Sequence, residues 1–180
     1  TLDKQMFIML NEQIDAYIKN RPKEKFKFLL VEQPFSGKFV DPKTGRKTAF
    51  TLSGIIDGLV VSSEGEYWLW ENKTTSRADQ AYMDRIYIDR QTHIYKKKVE
   101  ELFKKELNGQ QIVGVLYNII QKPKVEWSQG ETEEEFIERQ KTAQRPNMLK
   151  RKWPDTVETY TQKVRAHIKP EHFLLITKYF

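Results

Sequence analysis

The stretch from Leu52 to Thr75, LSGIIDGLVVSSEGEYWLWENKTT, constrains the fold more than any other part of the chain. Two apolar runs flank the polar segment from Ser62 to Gly65, and this pattern predicts a β-hairpin. If the turn is centred on Glu64, Asp57 and Glu71 lie the same distance either side of it and face each other across the strands. Directly opposed residues have Cβ atoms about 5 Å apart, so two carboxylates there repel each other. The hairpin therefore predicts an acidic pair that needs compensation.

Lys73 follows Glu71 by two residues, so it is predicted to lie on the same strand face as both carboxylates. The remaining hairpin residues are apolar on both faces, which predicts central strands covered on both sides. A close, buried carboxylate pair that stays ionised indicates a bound cation, and oxygen ligands favour Mg²⁺ or Mn²⁺. A purely structural ion-pair network of Asp57, Glu71 and Lys73 is the alternative.

The rest of the chain predicts an α/β domain. The strand–helix–strand order after Lys73 predicts a parallel pair of strands joined by a right-handed connection. Periodicity, turn residues and a Thr132–Glu135 capping box predict these further elements: a helix over 2–18, a strand over 26–35 stopped by Pro34, a helix over 82–107 closed by Asn108-Gly109, a strand over 110–121, a helix from 132 to about 143, a helix over 155–168 and a strand over 172–180.

Two polar features of these elements admit more than one interpretation. Gln91 interrupts an apolar stripe that contains Ile88 and Tyr95, and its spacing alone favours a core glutamine satisfied by backbone groups. Glu32 lies among apolar residues of the first strand, where the residues alone indicate an edge-strand charge that reaches solvent; the resemblance described below implies the alternative of a further metal or water ligand. His93 lies off the stripe and is predicted to be exposed. The lysines at 96–98 and 104–105, and a cluster formed by Arg145, Lys150, Arg151, Lys152 and Trp153, are either solvated surface or contacts for a nucleic-acid strand.

Composition narrows the classes of function. The formal net charge of +6 favours a polyanionic partner, and the absence of cysteine excludes disulfides, zinc–thiolate sites and cysteine-bound iron–sulfur clusters from this chain. No apolar run is long enough for a membrane span and no signal peptide opens the chain, so we expect a cytoplasmic protein with no membrane partner. A length of 180 residues predicts a single domain over 1–180. Because the chain starts without Met and stops inside a strand-like run, we expect that domain to be incomplete at one or both ends.

The order Asp57, then Glu71-Asn72-Lys73 after a short hairpin, then Gln91-Thr92-His93-Ile94-Tyr95, resembles the PD-(D/E)XK nuclease superfamily. The QxxxY element resembles its RecB-like and phage-exonuclease branch. The resemblance implies a restriction-endonuclease-like core, a mixed β-sheet flanked by helices, and a Mg²⁺-dependent or Mn²⁺-dependent DNA exonuclease that acts in recombination or DNA processing. It allows a homo-oligomer and a recombination partner protein.

The resemblance also implies roles for individual residues. Asp57, Glu71 and Lys73 would be catalytic, and the metal ligands would be Asp57, Glu71 and the backbone carbonyl of Asn72, with Glu32 as a further candidate. Lys73 would orient or deprotonate the attacking water or stabilise transition-state charge; beside two carboxylates it is a poor base, which favours the electrostatic role. Gln91 and Tyr95 would bind phosphate. The family usually has an earlier helical segment with a metal-binding His, and none of His93, His167 and His172 is placed to match it.

Two other functions are compatible with parts of the pattern. A catalytically inactive nucleic-acid-binding module of the same fold would explain the missing His ligand, whereas the intact Asp57, Glu71 and Lys73 set argues against it. A glycosidase could use Asp57 and Glu71 as paired carboxylates with Trp68 and Trp70 stacking on sugar. The glycosidase is disfavoured because both Trp residues are predicted on the opposite strand face, and because it gives no reason for the QxxxY element.

Overall fold

The structure is a computed structural model that describes residues 2–21, 25–41 and 44–155, together with Thr159 and Gln162. The described residues form four helices and five strands, in this order along the chain: α1 Leu2–Asn20, β1 Lys27–Val40, β2 Lys47–Val61, β3 Tyr67–Thr75, α2 Gln80–Tyr87, α3 Arg90–Leu102, β4 Ile112–Gln121, α4 Glu133–Ala143 and β5 Met148–Lys152. None of the helices within these residues combines the length and the apolar character that a membrane crossing needs.

The five strands form one mixed sheet in the order β1-β2-β3-β4-β5. β2 is antiparallel to both of its neighbours, β1 and β3; β3 and β4 are parallel, and β5 runs antiparallel to β4. The predicted hairpin and the predicted parallel pair are therefore both confirmed. The turn also lies where the sequence places it, because the N–H of Ser62 donates to the carbonyl of Glu66 and Gly65 has a φ of 84°, which favours glycine.

Apolar residues cover the central strands on both faces. One cluster contains Leu59, Leu69, Tyr117, Ile119 and the helix residues Ile86 and Val99, so α2 and α3 lie on that face. The other contains Val60, Trp68, Trp70 and Leu116. On this second face, the side-chain nitrogen of Asn118 donates to the hydroxyl of Tyr17 in α1 at 3.4 Å, and α4 packs against α1. The sheet is therefore flanked by helices on both sides, as predicted.

The outer part of the hairpin formed by β1 and β2 differs from the prediction. β1 does not stop at Pro34 but continues to Val40, and β2 already begins at Lys47. Proline is tolerated there because β1 is the edge strand of the described sheet and needs no donor on its open side. This outer part is not covered on both faces, since Phe50 and Ile55 are 77% and 58% exposed.

Two further expectations need correction, and one strand was not predicted. The predicted long helix is two helices, α2 and α3, and it ends at Leu102, with turns up to Asn108 and Gly109. β5 was not predicted at all. α1 starts where predicted but extends two residues beyond Ile18, to Asn20, and Phe7, Leu10 and Ile14 of its apolar face are exposed. The helix expected over 155–168 and the strand over 172–180 lie outside the described residues, apart from Asp155, Thr159 and Gln162. α4, by contrast, has both hydrogen bonds of the predicted Thr132–Glu135 capping box.

Candidate active site

Asp57 lies where the pairing of β2 with β3 ends. The last pair of that ladder is Gly58 opposite Trp70, so the register brings Asp57 and Glu71 to the next level, as the sequence predicts. At this level, Oδ2 of Asp57 accepts a hydrogen bond of 2.7 Å from the backbone N–H of Asn72. A charge-assisted bond of this kind fixes the carboxylate at the point where the two strands part.

Glu71 and Lys73 form a short ion pair on the face covered by α2 and α3. Nζ of Lys73 donates to Oε1 of Glu71 at 2.6 Å, and Glu71 is only 7% exposed. Burial raises the pKa of Glu71, the hydrogen bond and charge of Lys73 oppose the rise, and the charges of Asp57 and Asp89 add to it. The site thus holds a carboxylate whose charge is disfavoured unless a cation compensates it.

Lys73 is protonated in this arrangement. Burial alone would lower the pKa of Lys73, but the hydrogen bond and charge of Glu71, with smaller contributions from Asp89 and Asp57, raise it above its usual value. A lysine with a raised pKa is a poor proton acceptor at neutral pH. The geometry therefore favours an electrostatic or positioning role for Lys73 over that of a general base.

Asp89 is a third acidic residue at the site, and the sequence did not reveal it. It lies between α2 and α3 and caps α3, with its side chain accepting from the N–H of Gln91 at 3.0 Å. Its charge acts on both Glu71 and Lys73. The signal that was missed is Asp89 itself. Aspartate is a common N-cap residue, but here it lies inside a periodic pattern that predicts an unbroken helix.

Glu32 is level with Asp57 on the neighbouring strand, because the register pairs Val31 with Gly58 and Gln33 with Ile56. Glu32 has a φ of 46°, which is left-handed and strained for a residue with a side chain. On β2, the alternation of side chains between the two faces of the sheet is interrupted at this level. Ile56 and Leu59 are three residues apart, yet both pack into the same cluster, whereas strict alternation would put them on opposite faces.

Gln91 and Tyr95 lie along α3 on the same side of the sheet. Gln91 is exposed, so it is not the polar interruption of a buried stripe that its spacing predicted. The ring of Tyr95 packs edge-on against Phe35 with centroids 5.0 Å apart. Its hydroxyl lies 2.8 Å from the position that a Cβ on Gly54 would occupy, so glycine leaves room for it. Gly54 precedes Asp57 by three residues, which brings Tyr95 over the strand that carries Asp57.

Several polar residues do not lie as the sequence suggested. Lys98 and Lys152 are buried, at 5% and 3% exposure, and are not part of a solvated face. Arg151 lies over the ring of Trp68, on the opposite face of the sheet from Glu71. His93 is half-buried, with Nε2 3.7 Å from Oδ2 of Asp155, whereas we expected it to be exposed.

The side chain of Asn72 has a structural role that the sequence did not indicate. Its Oδ1 accepts from Nε1 of Trp70 at 2.9 Å and from Nδ2 of Asn118 at 2.8 Å. These bonds lie on the Trp70 face, away from Glu71. The side chain therefore tethers β3 to β4, which leaves only the backbone of Asn72 at the candidate site.

The donor set fits a hard divalent cation. Among the described residues, the hydrogen bonds above use one oxygen of each carboxylate, which leaves the second oxygens of Asp57 and Glu71. Mg²⁺ binds proteins through one or two carboxylates and fills its remaining positions with water and substrate phosphate. In the described part of the chain, no three carboxylate, imidazole or thiolate side chains are grouped to hold an ion. A cation bound here would therefore need oxygens from water and substrate phosphate to complete its coordination.

One comparison with known protein families gives a match. The family model of the PD-(D/E)XK nuclease superfamily matches residues 2–174. No curated protein matches the chain. Proteins of the matched superfamily are nucleases that act on DNA and generally use divalent metal ions.

Proposed function

The chain belongs to the PD-(D/E)XK nuclease superfamily, and from this premise we propose that it is a Mg²⁺-dependent or Mn²⁺-dependent DNA exonuclease of the RecB-like or phage type. The observation that carries the proposal is the convergence of Asp57, Glu71 and Lys73 where the β2–β3 ladder ends. Recombination or DNA processing is the setting that the resemblance to phage-type members implies.

The residues divide the work between binding an ion and binding phosphate. Asp57, Glu71 and the backbone carbonyl of Asn72 would hold the cation, with Glu32, which is level with Asp57 on β1 but is not grouped with both carboxylates in this structure, as a further candidate. A bound divalent cation would neutralise charge developing on the phosphate and lower the pKa of the attacking water. Lys73, held by Glu71 and kept protonated, donates hydrogen bonds to the oxygens on which negative charge grows. Gln91 and Tyr95 would orient the phosphate by hydrogen bonds.

A second candidate function is a DNA-binding module without catalysis. The observation that favours it is that no third side-chain ligand for a metal joins Asp57 and Glu71 within the described residues. Both candidates predict salt-sensitive DNA binding, and only the first predicts hydrolysis. Cleavage is therefore the measurement that separates them.

The test is digestion of matched linear and closed-circular DNA in Mg²⁺ or in EDTA by the wild-type protein, Lys73→Met and a control, Lys141→Met. Lys141 is exposed on α4, on the other face of the sheet. We expect Mg²⁺-dependent loss of linear DNA only. Lys73→Met should lose about 100-fold or more of the rate, as is typical when one group that stabilises transition-state charge is removed, and Lys141→Met should retain it.

Three other outcomes would each change the proposal. Cutting of closed circles would make the protein an endonuclease. DNA that is retained in a shift assay but never cut would support the binding module. Equal activity of Lys73→Met and wild type would remove Lys73 from the mechanism.

A further inference from the structure

The break between α2 and α3 is the starting point. α2 ends at Tyr87 and α3 begins at Arg90, so Ile88 and Asp89 lie between two helices that the sequence predicts as one. The last carbonyls of a helix have no partner within it and need a donor from elsewhere. The same two-residue segment carries the acid whose charge acts on Glu71 and Lys73.

Lys152, on the edge strand β5, adds a second donor at the carbonyl of Ile86, which also accepts from the N–H of Asp89 at 3.2 Å, and a donor at the carbonyl of Asp89. Its Nζ donates to the carbonyl of Ile86 and to the carbonyl of Asp89, both at 3.1 Å, and the residue is 3% exposed. Removing an ammonium from water costs several kcal/mol, which hydrogen bonds recover in part. A methionine would bury similar surface without that cost, so the specific contribution of the ammonium is to hold two carbonyls in place.

Tyr117, on the central strand β4, and Thr92, in the first turn of α3, contact the same segment. The Thr92 hydroxyl lies 3.0 Å from the Tyr117 hydroxyl and donates to the carbonyl of Asp89 at 3.2 Å. The Tyr117 hydroxyl also donates to Oδ2 of Asp89 in a long bond of 3.5 Å. Thr92 and Tyr117 are buried, and Tyr117 is the β4 partner of Glu71. The side chain of Asp89 is thus bound to β4, beside Glu71, and its carbonyl is bound to Thr92 in α3 and to Lys152 in β5.

We propose that Lys152, Tyr117 and Thr92 form a clamp that fixes the α2–α3 break and thereby sets where Asp89 and Gln91 stand relative to Glu71 and Lys73. The three are positioning residues that act through Asp89. The proposal rests on the proposed function for the roles of Gln91 and Lys73. The location of the clamp rests only on the contacts above.

The first test compares Lys152→Met with a matched control, Lys98→Met. Lys98 is also a buried lysine that donates to a carbonyl on another element, that of Lys38, but it lies in the second half of α3, away from the break. Thermal unfolding, hydrogen exchange of the amides of residues 88–92 and single-turnover cleavage at varied DNA concentration are measured for both variants and wild type. We expect both variants to lose stability, and only Lys152→Met to lose exchange protection at 88–92 and about 10- to 100-fold in kcat/KM, as misplacement of catalytic groups typically causes.

The second test uses a conservative pair at Thr92. Thr92→Ser keeps the hydroxyl and Thr92→Val removes it at nearly constant volume. The clamp predicts that Thr92→Ser retains the exchange protection of residues 88–92 and the wild-type KM. Thr92→Val should lose this protection and should have a KM different from that of the wild type.

Some results would overturn the clamp. One is equal loss of kcat/KM in Lys152→Met and Lys98→Met; another is unchanged protection at 88–92 in Lys152→Met. If the wild-type protein does not cleave DNA, the proposed function fails. The exchange comparison then decides on its own whether Lys152 and Thr92 hold the break.

Discussion

At the scale of single residues, the site is built from charges that oppose one another. Glu71 is buried beside Asp57 and within reach of the charge of Asp89, and among the described residues Lys73 is the cation that compensates it directly. Such an arrangement is unfavourable for the metal-free fold and favourable for a bound cation. Removal of the Glu71 charge should therefore favour the metal-free fold and weaken the binding of a cation.

Glu71→Gln tests this at the residue itself. Because the folded-state pKa of Glu71 is raised above its ordinary value of 4.5, its stabilising contribution is complete below the unfolded pKa and is lost as pH rises through the folded pKa. We expect metal-free Glu71→Gln to be at least as stable as wild type at pH 7 and to lose the part of the pH dependence that lies just above pH 4.5.

Thermal unfolding from pH 4 to 8, with EDTA or with millimolar Mg²⁺, measures both properties. Mg²⁺ should stabilise the wild-type protein by mass action, about 2.7 kcal/mol at 100 times Kd, and should not stabilise Glu71→Gln. The idea of a cation site fails if Mg²⁺ shifts both proteins equally. The purely structural ion-pair network is contradicted if Glu71→Gln costs no stability.

At the scale of elements, the sequence predicted the turn and the helix cap that depend on neighbouring residues. The Ser62–Gly65 turn and the Thr132 capping box depend on neighbouring residues, and both are present. The break at Asp89 and the strand β5 depend on distant partners. Lys152 supports the break from 63 residues away, and the charged sequence of β5 becomes a strand only because β4 offers an open edge.

The same reasoning explains how much of the site was predictable. Alternation along one hairpin was enough to bring Asp57, Glu71 and Lys73 together, because a short turn fixes the register. Asp89 reaches the site through a helix break, and Glu32 is level with Asp57 only through the β1–β2 register. Neither has a local pattern that marks it as part of the site.

The left-handed backbone conformation of Glu32 leads to a prediction about β1. A residue with a side chain in the left-handed region costs about 1–2 kcal/mol, and glycine in a strand costs about 0.5–1 kcal/mol of chain entropy. Glu32→Gly should therefore leave the free energy of unfolding unchanged or raise it by up to about 1.5 kcal/mol. Glu32→Val, which is β-branched, should lower it. Urea unfolding of the two variants measures the difference.

Glu32→Gln serves as the control, because it keeps the strained backbone position and removes the charge. If Glu32 is a further metal or water ligand, Glu32→Gln loses Mg²⁺-dependent cleavage along with Glu32→Gly. If Glu32 only sets the geometry of the strand, both variants remain active. A loss of stability in Glu32→Gly larger than about 1 kcal/mol would contradict the assignment of strain to this residue.

At the scale of the whole molecule, the sheet separates a chemical face from a structural face. α2 and α3 carry Asp89, Gln91 and Tyr95 over the side of the sheet that bears Glu71. α1 and α4 pack on the other side. If DNA approaches Glu71, cations on α3 should contribute to its binding, and cations on α4 should not.

The salt dependence of DNA binding tests this division. Each phosphate that a cation neutralises adds about 0.9 to the slope of log Kd against log salt concentration for duplex DNA. Lys97 on α3 and Lys141 on α4 are both exposed, so they form a matched pair. We expect Lys97→Ala to reduce the slope by about 0.9, with little dependence on DNA sequence, and Lys141→Ala to leave it unchanged. Fluorescence anisotropy with labelled duplexes, in EDTA to prevent cleavage, gives the slopes. An unchanged slope for Lys97→Ala, or an equal decrease for both variants, would mean that DNA does not bind preferentially along the exposed side of α3.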